Sequence, residues 1–211
     1  MPAPFPPQER DRISAAMIAE ARTLIPAVGL RKLPIETLTE RAGISKGAFY
    51  AFFESKEALY AEILAREGPG IAERVLAPLH DPSLPVQDAF AAFLHALMAE
   101  YESNPLLKRI IEHPDELAAV NRRLGPERVA AKAELGFKPL LAFLNQARER
   151  GDLAHDNVEA VLGVVVALPH LLLHKTAAGM GDWPATRDLL IGLLARGLFP
   201  ATGACAQRDG L

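Results

Sequence analysis

Apolar residues recur along most of the chain at the three- and four-residue spacing of helices that bury one face. Proline, glycine and short polar stretches separate these periodic segments. We therefore predict an all-α fold, with helices over approximately residues 9–25, 35–42, 45–53, 54–67, 71–79, 86–103, 104–112, 115–124, 126–150, 158–175 and 189–198.

The most informative segment is Leu33 to Lys56, LPIETLTERAGISKGAFYAFFESK. Leu38 and Ala42 belong to the apolar face of a first short helix. Gly43 is suited to the left-handed conformation that ends a helix, and Ser45 is a suitable N-cap for the next one. The segment therefore predicts two short helices joined by a tight turn.

The second of these helices has two unlike sides. Phe49 and Phe53 are four residues apart and share one side, while Gly47, Ala48 and Ala51 leave the opposite side small. A helix, a glycine-containing turn and a second helix with an uncluttered outer face are typical of the helix-turn-helix motif. The second helix of that motif lies in the DNA major groove.

The stretch TERAGISKGAFYAFFESKEALY resembles the DNA-binding motif of the TetR family of bacterial repressors. The resemblance extends back to Ala21 and covers about the first third of the chain. It implies a dimeric, all-helical regulator with an N-terminal three-helix DNA-binding head and a C-terminal ligand-binding and dimerisation domain. We predict these DNA contacts: Thr39, Ser45, Lys46, Gly47, Ala48, Tyr50, Ala51 and Lys56. For Phe52 the sequence leaves open whether it contacts DNA or packs in the core.

Charge does not by itself indicate a nucleic-acid partner. The chain has 23 basic and 26 acidic residues, a net charge of −3, and the part through Arg66 has 9 basic and 8 acidic residues. We therefore expect modest non-specific DNA affinity and reliance on a few placed contacts. The single cysteine, Cys205, permits no intrachain disulfide and fits a reducing cytosol. We expect no signal peptide, no segment of membrane-spanning length and a cytoplasmic protein.

Pro-rich and Gly-rich stretches divide the chain. We predict a disordered tail over residues 1–8, the DNA-binding head over 9–66, the helical body over 67–200 and a second tail over 201–211. Pro26 should end or kink the first helix near Leu24 or Ile25. The GPG at Gly68 to Gly70 should kink or break a later helix, as a transmitting hinge or as a simple boundary between two helices.

The body contains the candidate effector and dimer contacts. By the position of their helices in the family we predict these effector contacts: His95, Met98, Tyr101, Phe137 and His170. The segment VEAVLGVVVALPHLLLHK, residues 158–175, is apolar nearly all round, so a symmetry mate is expected to cover one side. The family pairs its last two helices across a two-fold axis, which implies a homodimer and a palindromic operator.

Two alternatives remain open. His170 and His174 are four residues apart, the spacing of a metal pair on one α-helix, but a place at an interface or helix end fits them as well. We expect no metal, because no HExxH motif accompanies these histidines and no cysteine lies near them. We expect no cofactor, and no enzymatic activity either, because the sequence has no nucleophile elbow, phosphate loop or catalytic pair of carboxylates. The predicted function is a DNA-binding regulator, a repressor released from double-stranded DNA by an apolar or amphipathic small molecule. The alternative is a helical ligand-binding or scaffold dimer without operator recognition.

Overall fold

The computed structural model describes residues 5–175 and 181–200. Cys205, the tail at 201–211 and the first four residues of the N-terminal tail lie outside these residues. Within them the elements are helices, in this order: α1 Pro7–Lys32, α2 Ile35–Ala42, the 3₁₀ helix η1 Lys46–Ala51, α3 Lys56–Leu76, η2 Ala77–His80, α4 Val86–Ser103, α5 Pro105–Glu112, α6 Pro114–Leu124, α7 Pro126–Arg150, α8 Val158–Ala167, η3 Leu168–His174 and α9 Trp183–Leu198. The predicted all-α fold is confirmed.

The described chain divides into two compact units, and the first contains residues 5–69 together with Pro105–Ala130. Its core is built from one apolar face of each helix, including Ile13, Met17, Ala21, Ile25, Leu38, Phe49, Leu59, Ile63, Leu106 and Val120. Thus α5 and α6 pack with the N-terminal helices, which the sequence pattern did not indicate. The division into a head over 9–66 and a body over 67–200 stays a prediction.

The second unit contains residues 70–104 and 131–200 of the described chain. Its core collects the apolar faces of α4, α7, α8 and α9, including Phe90, Phe93, Leu94, Leu140, Leu144, Val161, Ile191 and Phe199. The rings of Phe90 and Phe199 lie 4.9 Å apart between centroids. This contact ties α4 to the end of α9.

Helix α1 passes through Pro26, so the prediction of an end or kink near Leu24 or Ile25 is wrong. The backbone leaves helical geometry at Gly29 instead, with φ 82° and ψ 161°. Proline removes one backbone hydrogen bond from the helix, but Ile25 on one side and Leu30 on the other are buried in the core. Burial of these residues holds the helix together across the proline.

Helix α3 likewise passes through Pro69, so a break at the GPG, one of the two expected outcomes, is wrong, while a kink or a hinge there stays a prediction. A proline ring clashes with the β-carbon of a preceding helical residue, and Gly68 has none. A break does occur at another proline. The single helix predicted over 158–175 is α8 up to Ala167 and the 3₁₀ helix η3 from Leu168, because Pro169 lacks the N–H that would continue the α-helical pattern.

Helix α1 meets the length and hydropathy of a membrane span, contrary to the expectation that no segment does. An 18-residue window within Pro7–Lys32 has a mean hydropathy of 1.4, and 39% of that window is buried. Its apolar residues Ile13, Met17 and Ala21 belong to the first-unit core. Packing in a folded core therefore accounts for the hydropathy of this helix.

Candidate nucleic-acid interface

The turn between α2 and η1 forms as the sequence predicts. Gly43 adopts φ 74° and ψ 29°, the left-handed conformation that glycine accepts without strain. Its N–H donates to the carbonyl of Glu40 at 3.1 Å, and the N–H of Ile44 donates to the carbonyl of Thr39 at 2.9 Å. These bonds satisfy carbonyl groups at the end of α2, so the chain turns sharply into η1.

The helix that follows differs from the prediction in type and in its cap. Lys46–Ala51 is a 3₁₀ helix, in which the N–H of Ala48 donates to the carbonyl of Ser45 at 2.9 Å. The Ser45 side chain is exposed and makes no capping hydrogen bond, so its predicted role as an N-cap is wrong. Six residues are too few for their apolar pattern to distinguish three residues per turn from 3.6.

Two phenylalanine rings anchor one side of η1 and its C-terminal end. Phe49 is fully buried in the first-unit core and Phe53 is buried beside it, with 5.8 Å between the ring centroids. The ring of Tyr50 meets Phe49 edge to face at 5.3 Å. Because Phe49 cannot leave the core without a large loss of buried apolar area, it determines which side of η1 faces solvent.

The solvent side of η1 carries two hydrogen-bonding side chains among small ones. Tyr50 is 61% exposed, and Lys46 is exposed at the first position of the helix. Gly47 and Ala51 are also exposed, while Ala48 is half-buried. Side chains this small permit another backbone to approach η1 closely, and Lys46 and Tyr50 can bond to it.

An acidic residue on α2 lies beside the lysine of η1. The Nζ of Lys46 is 3.6 Å from Oε2 of Glu36, and both side chains are about two-thirds exposed. An exposed ion pair of this kind contributes at most about 1 kcal/mol. Lys46 is therefore held weakly and can exchange the carboxylate for a phosphate.

Two of the predicted DNA contacts, Thr39 and Lys56, already make hydrogen bonds within the protein. Thr39 is buried, and its hydroxyl donates to the carbonyls of Ile35 at 3.1 Å and Glu36 at 3.0 Å, so its predicted role as a contact is wrong. The Nζ of Lys56 donates to the carbonyl of Arg31 at 3.0 Å, at the end of α1. A cation is favoured at a helix C-terminus, so a DNA contact by Lys56 has to compete with this bond.

Phe52 is a packing residue at the edge of the core. Its ring is half-buried, lies 5.4 Å from the ring of Phe5, and has the guanidinium of Arg10 at 4.9 Å. Arg10 also donates to the carbonyl of Ala51 at 2.7 Å. The periodicity of the sequence does not indicate Phe5 and Arg10 as part of this surface, and the one signal for them is an aromatic residue in an otherwise proline-rich tail.

The five predicted effector contacts differ in their exposure. Met98 is fully buried in the second-unit core, and Tyr101 is half-buried, where burial raises the pKa of its hydroxyl. His95 is exposed, with Nδ1 3.7 Å from Oδ1 of Asp188, and Phe137 and His170 are exposed on α7 and η3. The five therefore do not form one buried set, and their role stays a prediction.

An open surface depression lies in the first unit, beside the N-terminus of α3. It is lined by Glu54, Ser55, Glu57, Ala119, Arg122 and Arg123. Glu54 and Arg123 form an ion pair at this surface. None of the predicted effector contacts lines it.

A metal site on η3 is not supported by its geometry. Four residues of a 3₁₀ helix turn through about one and a third revolutions, so His170 and His174 do not share a face as they would on an α-helix. Among the residues that the structure describes, no group of three or more histidine, cysteine, aspartate or glutamate side chains is placed to hold a metal ion.

Solved structures share the fold along nearly the whole chain. A TetR family transcription regulator of Marinobacter aquaeolei VT8 aligns with a TM-score of 0.67 at 15% identity, over 91% of this chain and 98% of its own. A bacterial regulatory protein in the tetR family from Rhodococcus RHA1 aligns with a TM-score of 0.67 at 19% identity, over 90% and 98%. The superantigen PfiT also aligns, with a TM-score of 0.65 at 14% identity, over 94% and 100%. At these identities the likeness shows the fold alone.

The N-terminal sequence gives the most specific likeness to a known family. No curated protein matches the chain in sequence. Residues 17–63, however, match the family model of the bacterial regulatory proteins of the tetR family. This match spans α2, the Gly43 turn and η1, the elements that form the exposed surface described above. The N-terminal part of the chain therefore carries a TetR-type DNA-binding domain, which supports a DNA-binding transcriptional regulator.

Proposed function

We propose that the chain is a homodimeric, cytoplasmic repressor that binds a palindromic operator through η1 and leaves it when a small molecule binds the second unit. The observation that carries the proposal is the solvent side of η1, where Lys46 and Tyr50 lie among small residues over a buried Phe49 anchor. From here on we call η1 the recognition helix. No cofactor, metal or catalytic step is part of the proposal.

The recognition helix offers few but well-defined contacts to DNA. Lys46 can bind a phosphate or the acceptor edge of a guanine, and the Tyr50 hydroxyl can bind a phosphate oxygen. Gly47 and Ala51 let the helix enter the major groove closely, and an alanine methyl group can meet a thymine methyl group. Because each good base contact is worth about 1 to 3 kcal/mol, specificity has to come from two half-sites and from DNA shape.

Exposed leucine and valine side chains on the last helices support the homodimer. Leu189 and Leu193, one turn apart on α9, are 60% and 55% exposed, and Val164, Val166 and Leu173 are exposed on α8 and η3. Large apolar side chains grouped on successive elements are typical of a surface that another chain covers. A two-fold dimer through this surface places two recognition helices on a palindrome, at about one DNA turn or a related spacing.

The effector part of the proposal rests on the second unit. Met98, which is buried, and Tyr101, which is half-buried, provide apolar surface with one hydroxyl group, which suits an apolar or amphipathic molecule. A molecule that binds the dimer more tightly off DNA than on DNA lowers operator affinity by the same factor. His95, Phe137 and His170 are the other residues that we propose to test for effector binding.

A gel-shift titration of the full-length dimer against the intergenic DNA beside its own gene tests the proposal. We expect a discrete complex that survives competitor DNA and weakens as salt is raised, because phosphate contacts release counterions. In a screen of apolar molecules, at least one should then dissociate this protein–DNA complex. Diffuse binding at every competitor concentration contradicts operator recognition and favours a scaffold dimer.

A further inference from the structure

We infer that Arg10 and Phe5 are positioning residues for the recognition helix, and that they set operator affinity without touching DNA. Together with Phe52 they form a small surface cluster, the N-terminal clasp, which joins the start of α1 to the end of the recognition helix. The inference rests on the proposed binding of DNA by the recognition helix.

The recognition helix needs an outside partner at its C-terminal end. A 3₁₀ helix of six residues has few internal hydrogen bonds, and its last carbonyl groups lack helical donors. The carbonyl of Ala51 receives its hydrogen bond from Nη2 of Arg10, at 2.7 Å. This length is typical of a bond strengthened by charge, and a cation is also favoured at the negative end of a helix.

Two further contacts hold the same guanidinium and the residue after the helix. Arg10 lies over the ring of Phe52, with 4.9 Å to the centroid, and the Phe5 ring contacts Phe52 at 5.4 Å with a 46° tilt. Arg10 is itself fixed by the first turn of α1, where its N–H donates to the carbonyl of Pro6 at 2.9 Å. The clasp therefore transmits the position of α1 to Ala51 and Phe52.

The position of Tyr50 explains why the clasp matters for DNA. Tyr50 lies between Phe49, which the core holds, and Ala51, which Arg10 holds. Phe49 and Phe53 hold the buried side of the helix in the core, and the hydrogen bond from Arg10 adds a third fixed point, at the carbonyl of Ala51. This third point selects one orientation of Tyr50 and Lys46, so the recognition helix is ordered before it binds DNA and the binding energy does not have to order it.

The test compares Arg10→Gln with Arg12→Gln, which removes the same charge from an exposed arginine of the same helix. Full-length proteins are titrated, at several salt concentrations, against a duplex selected from random sequence by the wild-type protein. We expect Arg10→Gln to weaken binding about three- to tenfold, which is less than the full contribution of one charged hydrogen bond and one exposed cation–π contact, because Phe49 and Phe53 still hold the helix. Arg12→Gln should bind as wild type does.

The salt dependence separates positioning from direct contact. If Arg10 positions the helix, the slope of log affinity against log salt concentration stays that of wild type. A slope flatter by about 0.9 shows that Arg10 itself binds a phosphate, which overturns the inference. Equal losses in Arg10→Gln and Arg12→Gln also overturn it, because charge alone then accounts for the effect.

Phe5→Ala tests the clasp without any change of charge. It should weaken binding to the same duplex at an unchanged salt slope, while the far-ultraviolet circular dichroism stays that of wild type. Wild-type affinity in both Phe5→Ala and Arg10→Gln overturns the clasp. Two further results separate failure of the clasp from failure of the proposed DNA recognition. If the wild-type protein selects no duplex, DNA recognition itself fails. If the complex is lost in Lys46→Ala but retained in both clasp variants, only the clasp is contradicted.

Discussion

The guanidinium of Arg109 occupies the space that a side chain on Gly29 would need. A β-carbon built on Gly29 would overlap Nη2 of Arg109 and would lie 2.8 Å from Oε1 of Glu116. Arg109 and Glu116 form a two-bond ion pair, at 2.8 and 2.7 Å, whose side chains are only 13% and 11% exposed. Glu116 also accepts from the N–H of Leu30 at 3.0 Å, so this pair from α5 and α6 holds the point where α1 leaves helical geometry.

Gly29→Ala should destabilise the protein more than Gly125→Ala. Both glycines adopt a backbone conformation that is essentially restricted to glycine, with φ and ψ of 82° and 161° at Gly29 and 81° and 156° at Gly125. Nothing lies within 4 Å of a β-carbon at Gly125. Backbone strain should lower the free energy of unfolding by about 1 to 3 kcal/mol in each variant, as measured by urea unfolding. Displacement of Arg109 should lower it by about 2 kcal/mol more in Gly29→Ala. Equal losses of stability in the two variants would contradict the close approach of Arg109 to Gly29.

Stability should depend on the ionisation of Glu116 in acid. Burial by itself raises the pKa of this carboxyl, but the hydrogen bonds from Arg109 and Leu30 and the charge of Arg109 outweigh burial and hold the pKa below its ordinary value of 4.5. A lowered pKa means that the unfolded chain takes up the proton first as the pH falls. The stabilisation is therefore complete above pH 4.5 and is lost as the pH falls through the folded-state pKa.

The Glu116→Gln variant isolates this contribution from those of other carboxylates. At neutral pH it should unfold about 1 to 3 kcal/mol more easily than wild type, because a charged hydrogen-bonding partner of Arg109 is lost. The difference between the two proteins should shrink as the pH is lowered below 4.5. A difference that stays constant down to the acid transition would contradict the role of the ionised carboxylate.

Removal of the Tyr60 hydroxyl should not destabilise the protein. This oxygen is buried and has no hydrogen-bond partner among the described residues, and burial, aided by the nearby charge of Glu116, raises its pKa to about 12. A buried hydroxyl without a partner is unfavourable relative to the same group in water. Tyr60→Phe should therefore be neutral or more stable by up to about 1 kcal/mol in thermal unfolding. A loss above 1 kcal/mol would show that the hydroxyl has a bonding partner in solution.

Charges placed on the exposed face of α9 should separate the proposed dimer. The double variant Leu189→Glu and Leu193→Glu puts two carboxylates where the dimer buries apolar surface, so sedimentation equilibrium should show a monomer. Val28→Glu, at an exposed apolar residue of α1, is the control and should remain dimeric. A dimer that persists in the double variant would place the contact between protomers elsewhere.

The sequence predicts the elements of the DNA-binding region well, because helix periodicity and the glycine turn are local properties. The turn at Gly43 and the buried pair Phe49 and Phe53 lie where the pattern indicates. The burial of Thr39 was missed, since a threonine can satisfy its own hydroxyl by bonding the preceding turn of its helix. The 3₁₀ geometry of the recognition helix was missed because its six residues contain no periodic signal that distinguishes the two helix types.

Long-range contacts set the features that sequence periodicity cannot predict. Pro26 is a local signal for a break, yet the break occurs at Gly29, where Arg109 and Glu116 arrive from about eighty residues further along the chain. Arg10 bonds Ala51 across 41 residues, and neither residue type indicates the other. Such pairings depend on how separate helices pack, which a single sequence does not specify.

The most direct test of the central claim is the affinity of Lys46→Ala for the DNA duplex that the wild-type protein selects, with Lys108→Ala as the control. Both lysines are exposed, and each pairs weakly with a glutamate, at 3.6 and 3.8 Å. If the recognition helix binds DNA, fluorescence anisotropy should show at least about a tenfold loss for Lys46→Ala, a salt slope flatter by about 0.9 if the lysine binds a phosphate, and wild-type binding for Lys108→Ala. Wild-type affinity and slope in Lys46→Ala would contradict the assignment of this surface as the DNA interface.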